Sequence, residues 1–140
     1  MIYLALDVGS QTIGLARCNA AEDRVDALYT LTRLTRKRDV ARVVEEAQRL
    51  GAGALVAGLA VFKSGDEGES AARARRIGEL CATASGLPLY FQDELGSSLE
   101  ARERLLSEGA SARRIAEEID CQAARIILER FLAKSSETPM

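Results

Sequence analysis

The sequence predicts an α/β domain with a five-stranded mixed sheet flanked by helices. Three short segments rich in β-branched, aromatic and aliphatic residues follow one another at the start of the chain. Two later apolar runs are each preceded by a segment with helical spacing. Since a strand–helix–strand connection is right-handed, both later strands should lie parallel to the first, with helices on both faces. The first three strands should form an antiparallel meander.

The predicted strands are separated by clear turn and loop signals. Val8–Gln11 is the turn of the first hairpin, and the polar segment Asn19–Asp23 precedes the third strand. Lys63–Gly68 is a glycine-rich loop after the fourth strand. The strands are Ile2–Asp7, Thr12–Cys18, Val25–Thr32, Ala54–Val61 and Leu87–Glu94.

The helices are predicted from apolar residues that recur at helical spacing. Two of them stop at glycines, Gly51 and Gly86, which suit the left-handed residue that often follows a helix. Ser97 and Glu100 have the spacing of a capping box and predict the start of a third helix. A fourth helix carries the chain to Ala133.

Length and composition indicate one domain, which we place at residues 1–134, with residues 135–140 as a flexible tail. The net charge of −2 argues against a uniformly basic surface, so any phosphate binding would depend on local patches. Three cysteines without a CxxC pair, in a chain without His, do not make a usual zinc site. The longest mostly apolar stretch, Gly51–Phe62, is too short to span a bilayer. We expect a cytoplasmic protein with no membrane partner.

Three acidic positions are candidates for a metal site. Asp7 ends the first predicted strand, Asp93 and Glu94 end the fifth, and Asp120 heads a helix. These acids should converge, because ligands in open α/β sheets sit at the carboxyl ends of the strands. In a chain without His, carboxylates that hold Mg²⁺ or Mn²⁺ are the available means of activating water at neutral pH. We therefore interpret these residues as catalytic and metal-binding candidates.

Asp120 also lies on the apolar stripe of its helix, since apolar residues follow it at offsets of three, four, seven, eight and eleven. A carboxylate carried into the protein by that stripe needs a cation or a partner. The competing interpretation is that Asp120 caps its helix and Asp7 its turn by accepting backbone N–H bonds. Three acids at one edge of the sheet favour the metal cluster.

Basic residues occur in short arginine-rich runs, at Arg33–Arg38 and Arg73–Arg76 among others. The guanidinium group is a planar donor suited to phosphate oxygens. The competing interpretation is a solvated helix face, which is common in a domain this rich in Glu. The candidate nucleic-acid-binding residues are Lys63, Arg73, Arg76, Arg36 and Arg38.

Five segments together resemble the RuvX (YqgF) family, which comprises ribonuclease-H-like relatives of Holliday junction resolvases and pre-16S rRNA nucleases. The likeness covers nearly the whole chain, in order and with fitting spacings. The segments are 6–16 (LDVGSQTIGLA), Gly58-Leu59 with Gly65 and Glu67, 72–75 (ARAR), 93–94 (DE) and 120–124 (DCQAA). Leu95 departs from the family pattern, in which Arg follows the DE pair, and this puts substrate contact at that position in doubt.

The resemblance implies a ribonuclease-H-like fold and hydrolysis of phosphodiester bonds with two Mg²⁺ or Mn²⁺ ions. It implies that Asp7 holds or bridges the metals, that Asp120 completes the site, and that one member of the DE pair supplies a third carboxylate. Strand alternation directs Asp93 and Glu94 to opposite faces, and we prefer Glu94 as the ligand. The implied partner is nucleic acid: branched or single-stranded DNA, or precursor rRNA.

Two other functions compete with a nuclease. Asp7–Gly14 also resembles the first phosphate loop of actin-like ATPases, but those enzymes use two lobes and this chain supplies one. The other alternative is a non-catalytic RNA- or ribosome-associated binding module. The sequence leaves open DNA or RNA as the substrate and the existence of a homodimer. No base-reading motif is present, so recognition of shape or strandedness is favoured over sequence readout.

Overall fold

A mixed five-stranded sheet forms the centre of the protein. The structure is a computed structural model that describes residues 1–61 and 64–137, with side chains described as far as residue 134. The strand order across the sheet is β3-β2-β1-β4-β5. The strands are β1 (Tyr3–Val8), β2 (Thr12–Cys18), β3 (Val25–Thr32), β4 (Ala54–Leu59) and β5 (Leu89–Asp93).

The strand directions confirm the predicted meander and crossovers. β2 pairs antiparallel with both β1 and β3, whereas β4 pairs parallel with both β1 and β5. The carboxyl ends of β1, β4 and β5 therefore lie at the same edge of the sheet. Position 7 on β1 and the residues that follow β5 come together at this edge because of that topology.

Four helices cover the two faces of the sheet. They are α1 (Arg36–Leu50), α2 (Glu69–Ser85), α3 (Ser97–Ser107) and α4 (Ala112–Glu137). α1 and α2 pack on the face that carries the large side chains of Leu4, Leu6 and Leu55. α4 covers the other face, where β1 and β2 present Ala5 and Ala16. Small side chains on this second face let α4 approach the sheet closely.

α3 is attached to the rest of the protein differently from the other helices. It packs against α4 through Ala101, Ala123 and Ile126 and, among the described residues, has no comparable contact with the sheet. Ion pairs reinforce that contact, because the guanidinium of Arg104 bridges Glu100 on its own helix and Glu129 on α4. α3 is therefore held mainly by one neighbour.

α3 begins at Ser97 as predicted, but one predicted cap and one other predicted helix start are wrong. Ser97 does not cap α3, because Gly96 occupies the N-cap position with φ of 73° and no side chain caps the helix. The tight turn after β5, in which Ser97 N–H donates to Glu94 O at 2.9 Å, requires that left-handed residue. Asp120 does not head α4, which begins at Ala112, about two turns earlier. Capping of the helix by Asp120 is therefore excluded.

The C-terminal end of α4 reaches Glu137, three residues into the segment predicted to be a flexible tail. Residues 138–140 lie outside the described part of the chain, and for them the tail stays a prediction. Within the described residues, no helix combines the length and the apolar character needed to cross a membrane.

A buried ion pair braces the turn between β1 and β2. The carboxylate of Asp39 is only 2% exposed and accepts from Arg33 Nε at 3.1 Å and from the N–H of Leu34 at 2.9 Å. Arg33 Nη1 also donates to the carbonyl oxygen of Gly9 at 3.0 Å. The turn itself is closed by Gly9 N–H donating to Thr12 O at 2.8 Å. The pair thus connects α1 to the turn that follows Asp7.

We expect Asp39→Asn to lower the free energy of unfolding by about 2–4 kcal/mol, because it leaves the Arg33 guanidinium largely buried without its counter-charge. Urea unfolding followed by circular dichroism measures this change. Glu117→Gln is the matched control, since the exposed Arg113–Glu117 pair should contribute less than about 0.5 kcal/mol. Equal effects of the two substitutions would show that the brace does not stabilise the fold.

Candidate active site

Three carboxylates line one cavity of about 460 Å³ at the carboxyl edge of the sheet. They belong to Asp7 of β1, to Glu94 directly after β5, and to Asp120 of α4. In the structure these acids converge at one edge of the sheet, as predicted. The metal-binding role assigned to them stays a prediction.

Asp7 and Glu94 form a partly buried carboxyl pair. Their side chains lie close enough to interact, and a proton shared between them stabilises the pair. Burial, together with the charges of Glu94 and Asp120, raises the pKa of Asp7 to about 8. Burial also raises the pKa of Glu94, with a smaller contribution from the charge of Asp93. Two negative charges at this position are therefore unfavourable unless a proton or a cation accompanies them.

Asp120 is held by a residue that the sequence analysis did not select. Thr12 Oγ1 donates to Asp120 Oδ2 at 2.8 Å, which fixes the carboxylate at the start of β2. The two residues are 108 positions apart in the chain, so no local sequence signal could have revealed the contact. Thr12 is thus a positioning residue for the third acid.

Gly14 determines how close α4 comes to the sheet. A Cβ atom at this position would lie 2.1 Å from the carbonyl oxygen of Asp120 and 2.3 Å from its carbonyl carbon. Gly14 is also the cross-strand partner of Asp7 on β1. The absence of a side chain at position 14 therefore brings Asp120 to the strand that carries Asp7. A glycine inside a strand often marks such a close approach, and this was the available signal.

Gly58 makes a corresponding space for Glu94. A Cβ atom at Gly58 would lie 2.8 Å from Glu94 Oε2 and 2.5 Å from Ile127 Cδ1. The backbone of Glu94 is fixed as well, because its N–H donates to the carbonyl oxygen of Leu59 at 3.0 Å. Asp93 is exposed and its Oδ1 accepts from the N–H of Leu95 at 2.9 Å. The structure therefore directs Glu94, and not Asp93, into the cavity.

The donor set fits a hard divalent cation. Carboxylate oxygens are the ligands that Mg²⁺ and Mn²⁺ prefer, and a cation would relieve the repulsion that now requires a shared proton. Within the described residues, no three His, Cys, Asp or Glu side chains stand together as a ready set of ligands. Asp7 and Glu94 face each other, while Asp120 is turned to Thr12. The Asp7–Glu94 pair is the part of the site that is already assembled.

The four predicted nucleic-acid-binding residues that the structure describes do not line the cavity. Four of them lie at partly or fully exposed positions on two helices, and Lys63 is outside the described residues. The intervening Arg75 is bound to Glu67 and stacks over the Phe91 ring at 4.7 Å, so it braces the loop after β4. The four exposed or partly exposed residues are Arg36 and Arg38 on α1 and Arg73 and Arg76 on α2.

We expect Gly14→Ala to lower the free energy of unfolding by at least about 2 kcal/mol, because α4 must move away from β2 to admit the new Cβ. Urea unfolding provides the measurement. Gly78→Ala in α2 is the control, since its Cβ would meet the flexible end of Leu89 at 3.3 Å and Ala57 Cβ at an ordinary contact distance of 3.5 Å. If Gly14→Ala were as well tolerated as Gly78→Ala, α4 would not be in contact with the backbone of β2.

The raised pKa of Asp7 predicts a pH dependence of stability in metal-free protein. Between the ordinary value of 3.8 and about 8, the folded state binds more protons than the unfolded state, so the free energy of unfolding should fall as pH rises. The slope should not exceed about 1.4 kcal/mol per pH unit, the value for one proton. Unfolding of wild type and Asp7→Asn in chelator, from pH 5 to 8, tests this. A decline that persists in Asp7→Asn would assign it to other groups.

Residues 1–134 match the family described as "RuvX: Holliday junction resolvase". A protein from Anaeromyxobacter sp. (strain Fw109-5), named "Putative pre-16S rRNA nuclease", is 36% identical over 132 residues, which covers 94% of this chain and 96% of that protein. A protein of the same name from Synechococcus elongatus is 34% identical over 134 residues, covering 96% of this chain and 90% of its own.

Two solved structures share the fold over nearly the whole chain. Thermus thermophilus RuvC in complex with a Holliday junction substrate aligns with a TM-score of 0.62 at 18% identity, covering 99% of this chain and 97% of that chain. The fowlpox virus resolvase in complex with Holliday junction DNA aligns with a TM-score of 0.62 at 11% identity, covering 99% and 100%. The fold is therefore ribonuclease-H-like, as predicted. The family match over residues 1–134 and the 36% identity to the Anaeromyxobacter protein show that the chain belongs to the RuvX family.

Proposed function

We propose that this protein is a divalent-metal-dependent nuclease that hydrolyses phosphodiester bonds in nucleic acid. The observation that carries the proposal is the partly buried Asp7–Glu94 carboxyl pair, with Asp120 in the same cavity. The names of the relatives and the junction complexes of the structural neighbours support the same class of reaction. Perturbed carboxyl groups gathered in one cavity are typical of catalytic sites.

In the proposed mechanism, Asp7 and Glu94 hold Mg²⁺ or Mn²⁺ and Asp120 completes the site. Two bound ions would supply a water of lowered pKa and stabilise charge on the leaving oxygen. Asp7 and Glu94 would hold the cation as ionised carboxylates, so Asp7, whose pKa is raised to about 8, would have to give up its proton for that role. Thr12 keeps the Asp120 carboxylate oriented towards β2 by donating its hydroxyl hydrogen.

The proposed substrate is a branched DNA or a precursor rRNA, in keeping with the names of the relatives and neighbours. Phosphate groups outside the cavity would contact Arg73 and Arg76 on α2, with Lys63, Arg36 and Arg38 as further candidates. Because the net charge is −2, such contacts are local. A homodimer stays a prediction.

We expect cleavage of a labelled four-way DNA junction or a structured RNA to require Mg²⁺ or Mn²⁺ and to cease in EDTA, because the carboxylates alone cannot generate hydroxide at neutral pH. Asp7→Asn and Glu94→Gln should each reduce the cleavage rate by at least about 100-fold, since either change removes a ligand charge. Gel assays with magnesium, manganese and chelator give these rates.

Asp93→Asn is the matched control for Glu94→Gln, since the amide oxygen can still accept from Leu95 N–H. It should retain cleavage within about threefold, a change of under 1 kcal/mol in the barrier. Cleavage that survives in EDTA would contradict metal dependence. Cation-dependent binding of nucleic acid without cleavage of either substrate would identify the protein as a binding module instead.

A further inference from the structure

The cavity that contains the three carboxylates is also lined by the first turns of two helices. Ser70 lies in the first turn of α2, and Ser97 and Ser98 open α3. Neither helix has a side-chain cap, because glycine occupies both N-cap positions. The first backbone N–H groups of these helices are therefore left without the side-chain acceptor that usually satisfies them.

At α3 a second observation points to a ligand. Ser97 is only 2% exposed and lines the cavity, yet its hydroxyl makes no hydrogen bond with any described residue. Its own N–H is occupied by Glu94 O, but the N–H groups of Ser98 and Leu99 have no acceptor among the described residues. The hydroxyl keeps access to the cavity, where a bound group can accept a hydrogen bond from it. A group with several acceptor oxygens would satisfy the hydroxyl and both N–H donors together.

The charges around the cavity decide which group that is. The positive end of the helix dipole at Ser97 favours an anion, whereas Asp7, Glu94 and Asp120 repel one. Glu100, in the first turn of α3, has its charge offset by Arg104 and Arg130. An anion therefore fits only once a cation neutralises the three carboxylates. A phosphodiester group meets this condition, because its two non-bridging oxygens can face a cation on one side and N–H and O–H donors on the other.

We propose that the first turn of α3, through the Ser97 hydroxyl and the N–H groups of Ser98 and Leu99, binds one phosphodiester group of the nucleic-acid strand when the carboxylates hold a divalent cation. The subsite rests on the proposed function, since the strand is its substrate. It also assigns a contact role to Ser97, which the sequence had suggested only as part of a helix cap.

Binding of a fluorescein-labelled four-way DNA junction and of a labelled RNA hairpin, measured by anisotropy in Ca²⁺ and in EDTA, tests the subsite. Ser97→Ala should weaken cation-dependent binding about three- to tenfold, the usual effect of one hydrogen bond to a charged group. Ser98→Asp should weaken it at least about tenfold, because a carboxylate occupies the anion position. The nucleic acid whose binding these two substitutions weaken, whether the DNA junction, the RNA hairpin or both, is the one that occupies the subsite.

Ser111→Asp is the matched control, since Ser111 caps α4 outside the cavity and the substitution adds the same charge at a helix start. It should change affinity by less than about twofold. In Ca²⁺, where the cation offsets the repulsion by the three carboxylates, Ser98→Asp should keep a melting temperature close to that of wild type, because an acidic residue in the first turn favours the helix. Loss of binding with retained stability therefore separates the subsite from a folding defect.

A second readout locates the phosphate. A single uncharged methylphosphonate is placed at successive positions of the labelled strand. At one position it should weaken binding to the wild-type protein. In Ser97→Ala the penalty, meaning this loss of affinity, should be smaller at that position and unchanged at all others. If both α3 variants bind like Ser111→Asp, or if the penalty profile of Ser97→Ala equals that of wild type, the subsite does not exist although the proposed function stands. If wild type shows neither cation-dependent binding nor cleavage, the proposed function fails and the subsite with it.

Discussion

The contact between Gly14 and the backbone of α4 at Asp120 is the constraint on which the rest of the structure depends. Any side chain at position 14 would overlap the carbonyl group of Asp120, so the distance between α4 and the sheet is set there. The alanines on the same face of the sheet, Ala5 and Ala16, are consistent with that close approach. Because Gly14 pairs with Asp7, the contact that packs the core also fixes the separation between two of the three acids. The absence of a side chain at position 14 thus sets both the distance of α4 from the sheet and the spacing of Asp7 and Asp120.

The acidic cavity lowers the stability of the folded state, and interactions elsewhere in the fold must compensate for this loss. Asp7 and Glu94 lie partly buried beside each other, and each raises the free energy of the folded state when ionised. Stabilising interactions are concentrated elsewhere, in the leucine-rich core under α1 and α2 and in the buried Arg33–Asp39 pair. That pair reaches the Gly9 turn directly, so the strand end that carries Asp7 is held in place by groups outside the cavity. A site in which like charges lie close together is typical of proteins that have lost some stability in exchange for function.

The parts of this arrangement that follow from chain topology could be predicted, and those that depend on tertiary contact could not. Asp7 and Glu94 were found because parallel strands must end at one edge of a sheet. Asp120 was placed correctly on an apolar stripe, but its helix starts earlier because Ser111 provides the cap. The Ser97 capping box failed because the turn after β5 needs a left-handed residue, which moved the N-cap to Gly96. Thr12 was not selected, because its partner lies on a distant element of the chain.

The elements that line the cavity differ in how firmly they are packed against the rest of the protein, and this determines which of them can move. Asp7 and Asp120 stand on β1 and α4, which are packed together across the core, so their separation cannot change without disturbing it. α3 packs mainly on α4, and it joins β5 through a short turn that contains Gly96. The side of the cavity formed by β1 and α4 is therefore rigid, whereas the side formed by α3 is held by fewer contacts. Rotation of α3 about that turn would change the width of the cavity without changing the spacing of the acids beneath it.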